Sequence, residues 1–543
     1  MTRPAPWAVW RARSPHQLVL ALLTAAFVLS STAFAVAVPM FGNPDEATHV
    51  DMVRHYASHP TDMAGPSLQQ TEGVRSALVA TGMVDIPAES PTAAIPPSRP
   101  DYGPFEDYGG DAPAQRCPSR TCQNYQFSHP PGWYLAAAPV ARVLDDRPFP
   151  NTVLALRLLN VLLCSVVVIA TWAIARELWP SRPRLALVAA GCTAVCGPLA
   201  AAAASVNNDG LMLPLMAVAL ALMAGILRRG VTIRAAAVLG AIVALGLLVK
   251  GEHLVIAAVG LGAVLLAPVA SNRDRWQAAL VYLAVGGIGG LWWLRVFIDD
   301  RAVTPSGGEL LAPPRTGPWN DEGIVPYIWG RLDTVIDWFP GRYGSYPWPF
   351  ALLPSGLLLA CQLGVVLLLA AWLVTRDWRR PTVASARVAL LAAVPFLLFA
   401  ASAYTAWDTY QSNGYHHGLA PRYVYGAVPI MAVMAAASLG AVRRRLRLQG
   451  VPALHAALLV GSAVLGTVVS LVVALHGMYF TTDWTTLFQR AGIMAPVAHV
   501  KAVLALVALL WTAAIAGAAL LVWRRVEGAT DAARPPAGSP APS

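Results

Sequence analysis

Apolar residues in this chain run in long blocks, with no alternation and no recurrence every third or fourth position. The first block extends from about Gln17 to Val38. A polar stretch of roughly 110 residues follows, rich in Pro, Gly and acids. Further blocks fall near 153–175, 185–204, 211–227, 235–249, 254–270, 277–297, 351–374, 388–404, 421–441, 454–475 and 502–523. A helix of about 20 apolar residues crosses a hydrocarbon core about 30 Å thick. Inside that core the backbone must satisfy its own hydrogen bonds, which favours helix. The pattern predicts an all-α polytopic membrane protein with about twelve transmembrane helices. The first block is longer than the apolar region of a cleaved signal peptide and reads as a retained span. The fifth and sixth blocks are short and suit a tight hairpin.

Charge gives this outline a direction. The 543 residues carry a formal net charge of +10, with only 13% charged residues, and the mean hydropathy is +0.53. The basic residues cluster between apolar blocks: Arg176, Arg182 and Arg184; Arg228, Arg229 and Arg234; Arg273 and Arg275; Arg376, Arg379, Arg380 and Arg387; Arg443, Arg444, Arg445 and Arg447; Arg524 and Arg525. Every second connection is basic. This is the positive-inside pattern and not a nucleic-acid-binding surface. Both termini are therefore expected in the cytoplasm. The expected organisation is a cytoplasmic tail (1–16), a first span (17–38), a large extracytoplasmic loop with amphipathic helices (39–152), and a transmembrane core (153–441). Extracytoplasmic loops of that core fall near 206–210, 298–350 and 405–420, and two last spans (442–523) and a disordered cytoplasmic tail (524–543) complete the chain. Very few lysines, with abundant Ala, Arg and Pro, suit a bacterial inner membrane protein. Of the 6 cysteines, Cys117 and Cys122 lie in the long polar loop, where an extracytoplasmic location allows a disulfide.

The candidate chemistry sits on the face away from the arginines. Directly after the first span comes Asn43-Pro44-Asp45-Glu46-Ala47-Thr48-His49. On a helix Asp45, Glu46 and His49 project to one side. Two carboxylates and an imidazole at a membrane boundary could deprotonate a hydroxyl or hold a cation. Asn at the N-cap, Pro at the first position and acids in the first turn are also ordinary helix-start chemistry. The spacing alone leaves both readings open. Cations near outer span ends run against the positive-inside bias: Arg157, Lys250, Arg295, Arg422 and Lys501. Arg422 suits phosphate through its bidentate fork. Lys250, beside Glu252 and His253, could equally form a local pair, and Arg157 could pair with an acid of the first loop. For Arg295 and Lys501 snorkelling is the simpler account. The turn Asn207-Asn208-Asp209 reads either as helix capping or as a sugar or metal contact. Asp408 with His416 and His417 reads mainly as solvated loop, and Trp292, Trp293 and Trp348 as an aromatic belt. No phosphate-binding Gly-rich loop, dinucleotide fingerprint or nucleophile elbow occurs.

In order, these motifs resemble those of the type-C (GT-C) membrane glycosyltransferases, above all a family of bacterial polytopic proteins with a Pro-Asp-Glu-x-x-His motif after the first span. His129-Pro130-Pro131-Gly132-Trp133-Tyr134 resembles the family's Pro-Pro-x-Tyr segment, and Val206-Asn207-Asn208-Asp209 its Asn/Asp turn. Trp338-Phe339-Pro340-Gly341-Arg342-Tyr343-Gly344 resembles its Phe-Gly-Trp region. Pro421-Arg422-Tyr423 with Pro429 resembles its Gly-Arg-Tyr motif, with Pro where Gly is usual. The resemblance covers about 17–440 and leaves the last two spans without a motif. It implies transfer of a sugar from a polyprenyl-phosphate donor to a cell-envelope glycan, lipid or protein outside the cytoplasm, in the bilayer and without nucleic acid. Asp45, then Glu46, would be the base. Arg422, Lys250, Arg157, His49 and His129 would bind the donor phosphate, and Asn207, Asn208, Asp209 and Tyr423 the sugar or acceptor. No cofactor is certain, and a divalent metal ion is left open. A transporter or flippase for a lipid-linked glycan, or a non-catalytic membrane protein, are the alternatives.

Overall fold

Helix α1 (Pro15–Ala37) carries no charged side chain and ends where Pro39 interrupts the apolar run. The computed structural model of the protein describes residues 15–43, 45–62, 68–83, 95–115, 122–300, 323–329, 383–413, 421–445 and 452–532. Three helices follow α1 before the next long span: α2 (Glu46–Ser58), α3 (Glu72–Ala80) and α4 (Gly132–Val143). Then come α5 (Phe149–Leu178), α6 (Pro183–Ala194), α7 (Gly197–Ala203), α8 (Asp209–Arg229), α9 (Ile233–Leu247), α10 (His253–Leu266) and α11 (Asn272–Asp300). The later elements are α12 (Ile324–Trp329), α13 (Val383–Ala392), α14 (Val394–Asn413), α15 (Val428–Arg445), α16 (Pro452–Ala463), α17 (Ser470–Met478), α18 (Trp484–Met494) and α19 (Val500–Ala532). Among the described residues no strand forms; two isolated bridges link Gln69 to Gln123 and Thr71 to Pro113.

Eight helices among the described residues are long and apolar enough to cross a membrane, and the pair α6–α7 makes a ninth. The pair answers to the expected block 185–204 but is bent by 61°. Pro198, at the start of α7, has no N–H to continue the α6 ladder. A Cβ on Gly197 would collide with the Gly466 carbonyl, so this break sits tightly on the π-helical turn Val464–Val469. Helices α9 and α10, of 15 and 14 residues, are apolar but only about 20 Å long, as the short fifth and sixth blocks predict. The expected block 351–374 and the Trp338–Gly344 motif lie outside the described residues, as do His416, His417 and Trp348. Helix α19 continues through Ala532, over the first residues of the expected tail.

Helix α5 packs along α8 with both C-terminal ends at one end of the bundle, where Glu177 pairs with Arg228 and Arg229. Their N-terminal ends meet the segment between α1 and α5 at the other end. Small residues set the contact of α9 with α11. A Cβ on Gly289 would overlap the Ala244 carbonyl, so glycine is what lets the backbones approach. Trp293 donates from its indole to the Leu247 carbonyl at 2.8 Å, pinning α11 to the end of α9. Much of α11 faces outward with large apolar side chains, including Leu280 and Leu291, as a lipid-facing helix must.

The segment between α1 and α5 is a folded cap. Asp51 accepts from the Thr71 N–H at 3.1 Å, the Thr71 hydroxyl at 2.5 Å and Asn124 Nδ2 at 2.8 Å. Burial pushes its carboxyl up to about 6 despite these bonds. Arg54 is buried against Asp145 and the Phe105 ring. Cys122 is disulfide-bonded, while Cys117 lies outside the described residues. The last spans, which no motif anchors, are tied to this cap by backbone acceptors. Arg99 donates to the carbonyls of Gly492, Ala495 and Pro496 at 3.0, 2.8 and 3.1 Å, closing the C-terminal end of α18. Tyr479 donates to the Ala37 carbonyl at 2.6 Å, and Met40 N–H to the Met494 carbonyl at 2.9 Å.

Candidate active site

The acidic motif after α1 splits into two carboxylates with opposite surroundings. Glu46, the first residue of α2, turns inward. Its two oxygens accept from Arg157 Nε at 2.8 Å, Arg157 Nη2 at 2.6 Å, the Val206 N–H at 3.0 Å and Asn43 Nδ2 at 3.2 Å. Oε1 takes three of these donors and Oε2 one, against about four lone-pair positions on a carboxylate. Arg157 is saturated. Besides its two bonds to Glu46 it donates to the carbonyls of Ala35 (2.8 Å), Val38 (2.9 Å) and Pro39 (2.8 Å). Both side chains are 0% exposed. The pair therefore closes the C-terminal end of α1, where carbonyls lack intrahelical partners, and fastens it to α2, α5 and the turn before α8.

Asp45 faces the other way. It is the N-cap of α2 with a left-handed backbone, φ 59° and ψ 7°. That conformation is costly for a residue other than glycine and persists where the surroundings impose it. Here the Thr48 hydroxyl donates to its carbonyl at 2.8 Å. Each carboxylate oxygen carries one donor: Tyr125 OH on Oδ1 at 2.7 Å and Arg422 Nη2 on Oδ2 at 2.7 Å. Asp45 is 24% exposed and Arg422 22%, so unlike Glu46 this carboxylate is within reach of a ligand. Burial pushes the Asp45 carboxyl up, but Arg422, with His49 and Tyr125 adding, outweighs it and holds it at about 2. The contact stabilises the fold above the ordinary carboxylate range, and that contribution is lost as pH falls toward 2.

Arg422 is the second residue of the 3-10 turn Pro421–Ala427 that leads into α15. The next residue, Tyr423, lies between two cations: Arg422 Cζ is 5.4 Å from its ring centroid and Lys250 Nζ 5.2 Å. Lys250, in the turn from α9 to α10, donates to Asp209 at 2.8 Å and lies 3.1 Å from Glu252. Asp209 opens α8. A chain of contacts thus runs from Asp45 through Arg422, Tyr423 and Lys250 to Asp209, joining residues far apart in sequence. The N-terminal ends of α2, α8 and α10 lie along it, and the helix dipoles there favour an anion.

His49 and His129 flank this chain as neutral rings. Burial holds both imidazoles down at about 3. His49 Nδ1 lies 2.9 Å from Tyr134 OH, and its ring is nearly parallel to those of His129 (15°) and Tyr134 (22°). As neutral rings they can supply hydrogen bonds and shape, and no charge. Asn207 and Asn208 are buried beside Asp209, with Asn207 Oδ1 and Asn208 Nδ2 lacking partners among the described residues. Asn160 fixes this turn. It accepts from the Trp133 indole at 2.9 Å and donates to the carbonyls of Ser205 (2.7 Å) and Asn207 (3.0 Å). Asn160→Ala is expected to lower stability by about 1–3 kcal/mol, read as a lower thermal midpoint in detergent. Of the other outer cations, Lys501 lies 5.2 Å from the Phe488 ring centroid.

Two site residues, Tyr125 and Asn160, are not predicted from sequence. Tyr125 sits four residues before His129 without a motif of its own, and Asn160 is one polar residue in an apolar block, the signal that could have marked it. Among the described residues no group of three or more His, Cys, Asp or Glu side chains is arranged to hold a metal ion, so the divalent ion left open by the sequence gains no ligand set here.

Fold and site define a multi-pass, all-α membrane protein with a charged centre at one end of its helical bundle. Residues 128–293, which include His129, Arg157, Asp209 and Lys250, match the family model of dolichyl-phosphate-mannose-protein mannosyltransferases, a GT-C family, in keeping with the resemblance carried by the motifs. No curated protein matches the chain. Similar solved structures include the Archaeoglobus fulgidus oligosaccharyltransferase in its apo form (13% identity, TM-score 0.46, covering 90% of this chain and 57% of that one). The same organism's AglB in complex with an inhibitory peptide and a dolichol-phosphate is another (13% identity, TM-score 0.47, 84% and 55%). ArnT from Cupriavidus metallidurans bound to undecaprenyl phosphate is a third (14% identity, TM-score 0.41, 97% and 78%). The chain spans little more than half the length of the archaeal oligosaccharyltransferase.

Proposed function

We propose that the protein is a membrane glycosyltransferase that passes a sugar from a polyprenyl-phosphate donor to a cell-envelope acceptor on the extracytoplasmic face of a bacterial inner membrane. The observation that carries this reading is the partly exposed Asp45–Arg422 pair, with Lys250 beyond the shared Tyr423 ring. A carboxylate and cations at one place can serve both ends of a glycosyl transfer. Asp45 takes the proton of the acceptor hydroxyl as its oxygen attacks the anomeric carbon. Arg422 and Lys250 stabilise the charge that develops on the departing phosphate. The donor class follows the dolichyl-phosphate-mannose description of the family over 128–293. Asn207 and Asn208, with their unpartnered Oδ1 and Nδ2, are the proposed contacts to sugar hydroxyls, and Glu46 with Arg157 serves the architecture.

Arg422→Ala is expected to weaken retention of undecaprenyl phosphate on the purified protein by about tenfold or more, the worth of one charge-assisted contact. Unchanged retention would remove Arg422 from the donor site. The orientation has its own test. Val79, 56% exposed on α3, as Val79→Cys should react in intact cells with a thiol reagent that cannot cross membranes. Reaction only after permeabilisation would place the site on the cytoplasmic face.

A further inference from the structure

We propose that donor binding unmasks the base: the donor phosphate takes the Arg422 guanidinium away from Asp45, so the carboxylate becomes available to an acceptor only when a donor is loaded. This rests on the reading of the site as a lipid-phosphate glycosyltransferase. Asp45 Oδ1 is held by Tyr125 and Oδ2 by Arg422. With Arg422 in place, the oxygen nearest the cation is occupied and weakly basic. The Arg422 contact to Asp45 is single, through Nη2, and its Nε is buried without a partner among the described residues. A phosphate accepts from Nε and Nη2 together in a bidentate fork. The exchange therefore trades one hydrogen bond and an orphaned donor for two hydrogen bonds. It also moves the cation onto the leaving group, where charge will develop.

What remains at Asp45 is already in position. The left-handed backbone is kept by Thr48, and Oδ1 by Tyr125, so Oδ2 is freed without the residue moving. The acceptor hydroxyl then gives its proton to Oδ2. Its oxygen bonds to the anomeric carbon as the bond from that carbon to the phosphate oxygen breaks, the electron pair staying on the phosphate beside Arg422. When polyprenyl phosphate leaves, Arg422 returns to Asp45 and the carboxyl releases its proton to solvent. Binding is ordered, donor before acceptor, and a protein without a donor has no competent base.

The test uses the full-length protein in lipid nanodiscs, dicyclohexylcarbodiimide as a probe of protonated carboxyls, and bare undecaprenyl phosphate in place of the donor. Modification at Asp45 is followed by peptide mass spectrometry, and bound lipid phosphate is measured on the same samples. Labelling should rise about tenfold for each unit that the carboxyl climbs from about 2 toward the ordinary carboxylate range. Wild-type protein should label slowly alone and at least about tenfold faster with undecaprenyl phosphate. Arg422→Gln should label fast in both conditions. Bound lipid with unchanged or slower labelling of the wild type overturns the unmasking and leaves the transferase reading standing. A folded Arg422→Gln protein that labels as slowly as the wild type overturns it as well. Failure of the wild type to bind undecaprenyl phosphate at all overturns both.

Discussion

Arg157→Met is expected to leave little folded protein in the membrane. The substitution removes five hydrogen bonds and strands the Glu46 carboxylate, 0% exposed, without its counter-ion. Breaking a buried pair by removing one partner costs about 3–5 kcal/mol, a large fraction of a typical net stability of roughly 5–15 kcal/mol. Removing both charges, as in Arg157→Met with Glu46→Leu, should recover only part of the loss. The carbonyls of Ala35 and Val38 and the Val206 N–H would still lose these partners, and the Pro39 carbonyl would keep only the Gly42 N–H. The check is the yield of monodisperse protein after detergent extraction, with its thermal midpoint. A single variant that matches the wild type in both would show that the pair does not hold α1 to the cap.

Asp45→Asn is expected to do the opposite: normal amounts of protein and a sugar-transfer rate lower by about 10²–10⁴, the range for loss of a general base. Asparagine keeps the size of the side chain and, through its oxygen, one of the two hydrogen bonds, at a site that is 24% exposed and not sealed. The neighbouring change Glu46→Gln should instead lower the amount of folded protein, because all four donors to Glu46 depend on its two oxygens. Measuring protein level and turnover per molecule separates the two acids. Equal turnover in Asp45→Asn and wild type would remove Asp45 as the base.

The contrast shows how far the sequence can be read. Blocks of apolar residues locate the spans because the bilayer imposes length and composition on each one independently. Loop arginines give an orientation for the same local reason. Which acid of Asn43–His49 is free is a different kind of fact. Asp45 and Glu46 are adjacent and equally suited to base chemistry, and they part only because Arg157 and the Val206 N–H, more than a hundred residues away in sequence, meet Glu46. Arg422 was legible as an exceptional cation, but its partner, 377 residues distant, was not. Tyr125 and Arg99 were invisible for a related reason. Each acts through contacts set by tertiary packing, Tyr125 on Asp45 and Arg99 on the carbonyls that end α18, and neither stands out in composition.

Transfer of sugar from a lipid phosphate at the Asp45–Arg422 centre can be measured directly. Membrane vesicles carrying the wild-type chain should be given a polyprenyl-phosphate donor with a radiolabelled sugar, and the label followed into envelope material. Label transfer is expected from the wild type, and its loss in Asp45→Asn vesicles that contain the same amount of protein. Transfer at the same rate in both would contradict it.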